Sequence, residues 1–139
     1  MNLAARYGYL DIVQWLHFNR SEGCTTEAME WAVYNGNLEV VKWLHFNRSE
    51  GCSTNAMDLA AYNGHLDVFK WLHLNRSEGC SAEAMGGAAL NGHVAIVRYL
   101  FENGLVTDRQ ELKSALEFAQ SSGRHVIAEY LKSVLEQKI

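Results

Sequence analysis

The chain has 139 residues, 48% of them hydrophobic, enough apolar material for the core of one ordinary domain and too much for a disordered segment. Charged residues make up 20% and the formal net charge is −4, so no basic field is available for nucleic acid or an acidic membrane surface, and neither is expected as a partner. No apolar run approaches the ~20 residues of a membrane span, the start MNLAARYGYLDIV has no leader pattern, and an intracellular protein, cytoplasmic or nuclear, is expected.

An internal period organises everything else. Trp15, Trp43 and Trp71 recur at intervals of 28 residues, as do Cys24, Cys52 and Cys80, and Gly8, Gly36, Gly64 and Gly92. The string WLHFNRSEGC runs unchanged through residues 15–24 and 43–52, and in residues 71–80 it changes only at Leu74. Five units are expected, at about 1–24, 25–52, 53–80, 81–108 and 109–139, forming a single domain over 1–139.

In the first unit Met1 falls inside a first helix that has no loop before it, so Leu3, Ile12 and Leu16 are expected to lack a covering neighbour, and the chain reads as a piece of a longer array. The second unit has the frame EWAVYNGNLEVVKWL. In the third, residues 56–63 are good helix formers that stop at Gly64, the residue suited to a left-handed helix end, which predicts a first helix. Residues 65–75 place Leu66, Val68, Phe69 and Leu72 on one side and Asp67 and Lys70 on the other, which predicts a second helix. Residues 76–81 break that pattern at Gly79, and Ser81 is placed to cap the next helix. The fourth unit keeps Gly92, His93 and Leu100 but has Tyr99 for the tryptophan. The fifth keeps only Gly123, Val126 and Tyr130, and its polar residues Arg109, Gln110, Glu111, Lys113, Lys132, Glu136, Gln137 and Lys138 suit a solvent-facing cap. Two helices of about ten residues cannot bury their apolar faces alone, so the units must stack into an all-α solenoid.

The segment AMDLAAYNGHLDVFKWL (residues 56–72) resembles the ankyrin motif TPLHxAAxxGHxxVVxxLL through Ala60, Ala61, Gly64, His65 and Val68, and the neighbouring units repeat the wording. There are two departures. The family period is about 33 residues, and the shortfall lies between the second helix and the next first helix, where the family carries a projecting β-turn. Compact loops over residues 47–53 and 75–81 are therefore expected in place of a hairpin. The Thr-Pro-Leu-His opening is replaced by Glu27-Ala-Met-Glu30, Asn55-Ala-Met-Asp58 and Glu83-Ala-Met-Gly86, so the hydrogen bonds of that threonine and histidine must be supplied otherwise or lost.

Each repeated polar or aromatic position forms a column. The cysteines should stand about 9–10 Å apart, the usual helix-packing distance, too far for disulfides, and are read as small buried apolar groups. His17, His45 and His73 are expected to bond to adjoining loops, and their spacing argues against a metal. Arg20 with Glu22, Arg48 with Glu50 and Arg76 with Glu78 read as a charge ladder between successive loops. Trp15, Trp43 and Trp71 read as seam seals. No nucleophile has an activating partner at motif spacing, so no enzyme, cofactor or metal is expected.

Positions that differ on the fixed frame are the informative ones. The resemblance implies that the positions just before the alanine pair and between it and the glycine line a concave, partner-gripping groove. They are Trp31 and Leu59, then Tyr34, Tyr62 and Leu90, with Tyr7 earlier. Two readings of these residues stand: protein-binding contacts, or filling between units. The function expected is non-enzymatic protein binding on the concave face. The alternative is a structural spacer within a larger repeat protein, and self-association through the uncapped N-terminal unit is a further expectation.

Overall fold

The computed structural model describes residues 1–137; Lys138, expected in the cap, lies outside them. Among the described residues there are ten helices and no strand. They pair as α1 (Asn2–Arg6) with α2 (Leu10–Asn19), α3 (Thr26–Tyr34) with α4 (Leu38–Asn47), and α5 (Asn55–Asn63) with α6 (Leu66–Asn75). The stack continues with α7 (Ala82–Asn91) and α8 (Val94–Glu102), then α9 (Arg109–Ser121) and α10 (His125–Gln137). The last pair is longer, 13 residues each. None of these helices is long and apolar enough to cross a membrane.

Local chemistry sets the helix ends. The Thr25, Ser81 and Asp108 side chains accept the N–H groups of Glu27, Glu83 and Gln110, satisfying donors that the helix leaves free. Asp11, Glu39 and Asp67 lie in the first turns of α2, α4 and α6, where the helix dipole favours an anion. Between the two helices of a unit, Gly36 and Gly64 take φ of +74° and +78°. A Cβ on either would also lie 2.6 Å from the His65 ring or 2.5 Å from the His93 ring, so glycine is required twice over. Those rings approach closely because His65 and His93 Nε2–H donate to the carbonyls of Tyr34 and Tyr62, both at 3.0 Å.

The first helices stack closely in the order α1, α3, α5, α7, α9, and the second helices stack more loosely behind them. Small buried residues permit the close approach: Ala4 and Ala5, Ala32, Ala60 and Ala61, Ala88 and Ala89, Ala115 and Ala119. Unequal spacing of the two rows curves the stack, with the first helices on the inner side. Val41, Leu44, Phe69, Leu72, Val97 and Leu100 complete one continuous core from the second helices. At the C-terminal end Gln110, Lys113, Lys132, Glu136 and Gln137 are exposed. At the N-terminal end Leu3, Ile12 and Trp15 are exposed.

The seams answer two questions that the sequence leaves open. In place of the Thr-Pro-Leu-His bonds, Ser53 Oγ–H donates to Glu30 Oε1 at 2.6 Å and Ser81 Oγ–H to Asp58 Oδ2 at 2.6 Å. The serine N–H groups bond to the same carboxylates, at 3.3 and 2.8 Å. A carboxylate in the preceding first helix thus ties down the start of the next, which keeps Asp58 satisfied although it is buried.

The expected charge ladder takes a different form. The Arg–Glu pairs close within each loop, Arg48 Nε to Glu50 and Arg76 Nε to Glu78, both at 3.1 Å. Arg48 and Arg76 are in extended backbone, which lets a side chain fold back on the residue two further along. Between units the other edge of the guanidinium acts: Arg48 Nη1–H donates to His17 Nδ1 at 3.2 Å and Arg76 Nη1–H to His45 Nδ1 at 3.1 Å. The Trp43 and Trp71 rings stand edge-on to the same histidines at 5.0 Å, so these two do seal seams. In the fourth unit Gly104 and the buried Val106 replace the Arg–Glu pair, and the Tyr99 hydroxyl meets His73 Nδ1 at 2.8 Å. The cysteines, expected to be buried, are free and only half-buried, because they lie in the loops and touch the core from its edge. Burial still pushes the Cys52 and Cys80 thiols up to about 11.

Candidate protein-binding groove

Helical periodicity gathers the variable positions onto one face. Glu27, Glu30, Trp31 and Tyr34 follow a spacing of three and four residues along α3, and Asn55, Asp58, Leu59 and Tyr62 repeat it along α5. With the alanines of both helices turned into the core, Glu27, Tyr34, Asn55 and Tyr62 are exposed on the inner side, Glu30, Trp31 and Leu59 are half-buried there, and Asp58 is buried at their edge.

They line two adjoining depressions. One, of about 410 Å³, is bounded by Arg6, Glu27, Glu30, Trp31, Tyr34 and Leu59. The other, of about 260 Å³, is bounded by Glu30, Asn55, Asp58, Leu59, Tyr62 and Glu83. Glu30 and Leu59 belong to both, so the surface is one groove across the first helices. Tyr34 is 39% and Tyr62 47% exposed, while Trp31 and Leu59 are half-buried. The Arg6 guanidinium lies 4.3 Å over the Trp31 ring, and the Tyr34 ring meets that indole edge-on at 5.7 Å.

Trp31, Tyr34, Leu59 and Tyr62 therefore come together as a set. Tyr7 does not join them: it caps the end of α1, is exposed, and packs beside Tyr9 with ring centres 6.2 Å apart. The residue 28 before Tyr34 is Arg6, which holds the groove position in the first unit. Leu90 is half-buried beyond the groove, its carbonyl accepting from Arg124 Nε at 3.2 Å. In that fourth unit Gly86 and Gly87 leave room that neighbours occupy. A Cβ on Gly87 would lie 3.1 Å from the Tyr62 ring, and one on Gly86 3.3 Å from Phe118. Arg6, Glu27, Glu30 and Glu83 are groove residues that the sequence reading missed, although counting by 28 and by helical turns would have reached them.

The groove offers aromatic faces and carboxylates, the chemistry of recognition. The serines near it, Ser53 and Ser81, spend their hydroxyl protons on Glu30 and Asp58. Among the described residues, no group of three or more histidines, cysteines or carboxylates could hold a metal ion.

No curated protein matches the sequence. A family model of ankyrin repeats, 3 copies long, matches residues 1–83 and, in a second placement, residues 57–138. The matches run through the stacked pairs, the glycine turns and the helices that build the groove, so the chain belongs to the ankyrin-repeat family, whose repeats are in general protein–protein interaction modules.

Proposed function

We propose that this protein is a non-enzymatic, intracellular module that holds a protein partner in the groove of α3 and α5, with Trp31, Tyr34, Leu59 and Tyr62 as contacts. Tyr7 and Leu90 flank that surface. One observation carries the reading: Trp31, Tyr34 and Tyr62 line adjoining depressions on a face where the units differ in sequence, with Tyr34 and Tyr62 exposed and Trp31 half-buried between the first helices. Such residues supply most of the binding energy at protein interfaces. Partner capture from lysate, identified by mass spectrometry, is compared between the native chain and the Trp31→Ala/Tyr62→Ala variant, each with a thermal melt. A partner lost by the variant while the melt persists supports the reading. A partner set retained in full by a folded variant overturns it.

A second reading rests on a separate surface. Leu3, Ile12 and Trp15 form an exposed apolar face at the N-terminal end, and we propose that it self-associates. Light scattering should show oligomers that dissociate in Ile12→Glu/Trp15→Glu; a monomer at all concentrations removes this reading.

A further inference from the structure

We propose, resting on the groove reading above, that the partner segment is cationic, an arginine- or lysine-bearing peptide whose charged side chain takes the Trp31 ring and the carboxylates around it. The protein already shows this geometry internally. Arg6 places its guanidinium 4.3 Å over the Trp31 ring, an arrangement in which the π face attracts a cation. The indole face thus already holds a guanidinium of the chain itself, which an incoming cation would replace, and Glu27 and Glu30 line the same depression.

Charge points the same way. The two depressions are bounded by Glu27, Glu30, Asp58 and Glu83 against the single cation Arg6. Five acids outside the groove have a cation at hand: Glu22, Glu50 and Glu78 the arginines of their own loops, Glu39 and Glu129 lysines one turn away. Among the described residues Glu27 and Glu83 are in no ion pair, and both are exposed at the groove edge. Uncompensated negative charge therefore lies along the inner face, beside the exposed aromatics. A cationic segment gains Coulomb attraction on approach and an acidic one is repelled, so the arrangement selects partners by sign.

The repeat also spaces the recognition. Adjacent first helices stand about 10 Å apart, so the Trp31 and Tyr62 depressions accept two side chains at about that distance. Extended chain bridges it in about three residues at ~3.3 Å each, and a helix in about seven at 1.5 Å each.

A random-peptide phage library selected on the native chain and counter-selected on Trp31→Ala/Tyr62→Ala provides the probes. Groove-dependent peptides should be rich in arginine or lysine. Replacing the key arginine of a selected peptide by the neutral isostere citrulline should weaken binding about tenfold or more. Glu27→Gln/Glu83→Gln should weaken it comparably while the chain stays folded, added salt should also weaken it, and Arg6→Ala, which vacates the ring, should tighten it. Groove-dependent peptides that are neutral or acidic, or that tolerate citrulline, overturn the cationic partner and leave the groove standing. A library yielding no peptide that distinguishes the native chain from the counter-selecting variant overturns both.

Discussion

The string WLHFNRSEGC occurs unchanged at residues 15–24 and 43–52, and the backbone takes the same path through both copies. Arg20 and Arg48 end their helices at φ −128°, with ψ of 155° and 156°, and each guanidinium turns to the glutamate two residues on. Their settings differ. Trp15 is 56% exposed, whereas Trp43 is half-buried against His17. The Arg20 and Glu22 side chains are 56% and 61% exposed; those of Arg48 and Glu50 are 21% and 24%. Identical residues thus make identical local structure, and the neighbouring unit alone decides what that structure contributes to stability.

Large-to-small changes in the second helices should separate the copies most. Leu44 and Leu72 are fully buried, so alanine at either should cost about 2–5 kcal/mol. Leu16, their counterpart in the first unit, is half-buried and should cost markedly less. Urea melts of the three variants make the comparison, and equal losses would mean that the N-terminal unit is covered in solution.

The guanidinium positions give the next effect. Arg76→Ala removes the bond to His45 and leaves Glu78, partly buried, without its cation, at a cost of about 1–3 kcal/mol. Arg20→Ala breaks only an exposed pair and should melt close to the native chain. Two similar melts would show that the Arg–His link between units contributes nothing.

Trp31→Ala should shift the melt less than Leu44→Ala while removing about 2 kcal/mol or more of partner binding. A melt as damaged as that of Leu44→Ala would make Trp31 a core residue and remove it from the binding face.

The cysteines give the smallest effect and a definite sign. Burial raises the Cys52 and Cys80 thiols from 9.0 to about 11, so the folded state holds protons that the unfolded state releases first. Their contribution is fully present below pH 9 and is lost as pH rises through about 11. Alkaline melts of Cys52→Ala/Cys80→Ala should lose less stability across that window than the native chain, and equal slopes would place both thiols in contact with water. Native protein at pH 8 should likewise react slowly with a thiol reagent at these two sites.

Much of the groove was legible because Trp31, Leu59 and Tyr62 vary where the rest of the unit repeats. Tyr7 was drawn in by its residue type, but the register places Arg6 at that position, and only the packing of α1 on α3 brings the guanidinium onto Trp31. The Arg–Glu pairs were visible as neighbours in sequence, yet the histidine that each inner arginine meets is 31 residues away.

By itself the sequence determined the helices, their ends and their order, since capping side chains, glycine turns and apolar periodicity act within a few residues of where they are written. The tertiary structure alone decided which copies of the same string are buried, which carboxylates replace the missing Thr-Pro-Leu-His bonds, and how two depressions join across α3 and α5. Those outcomes depend on the distance between stacked units, and that distance is set by side chains of different units packing against one another.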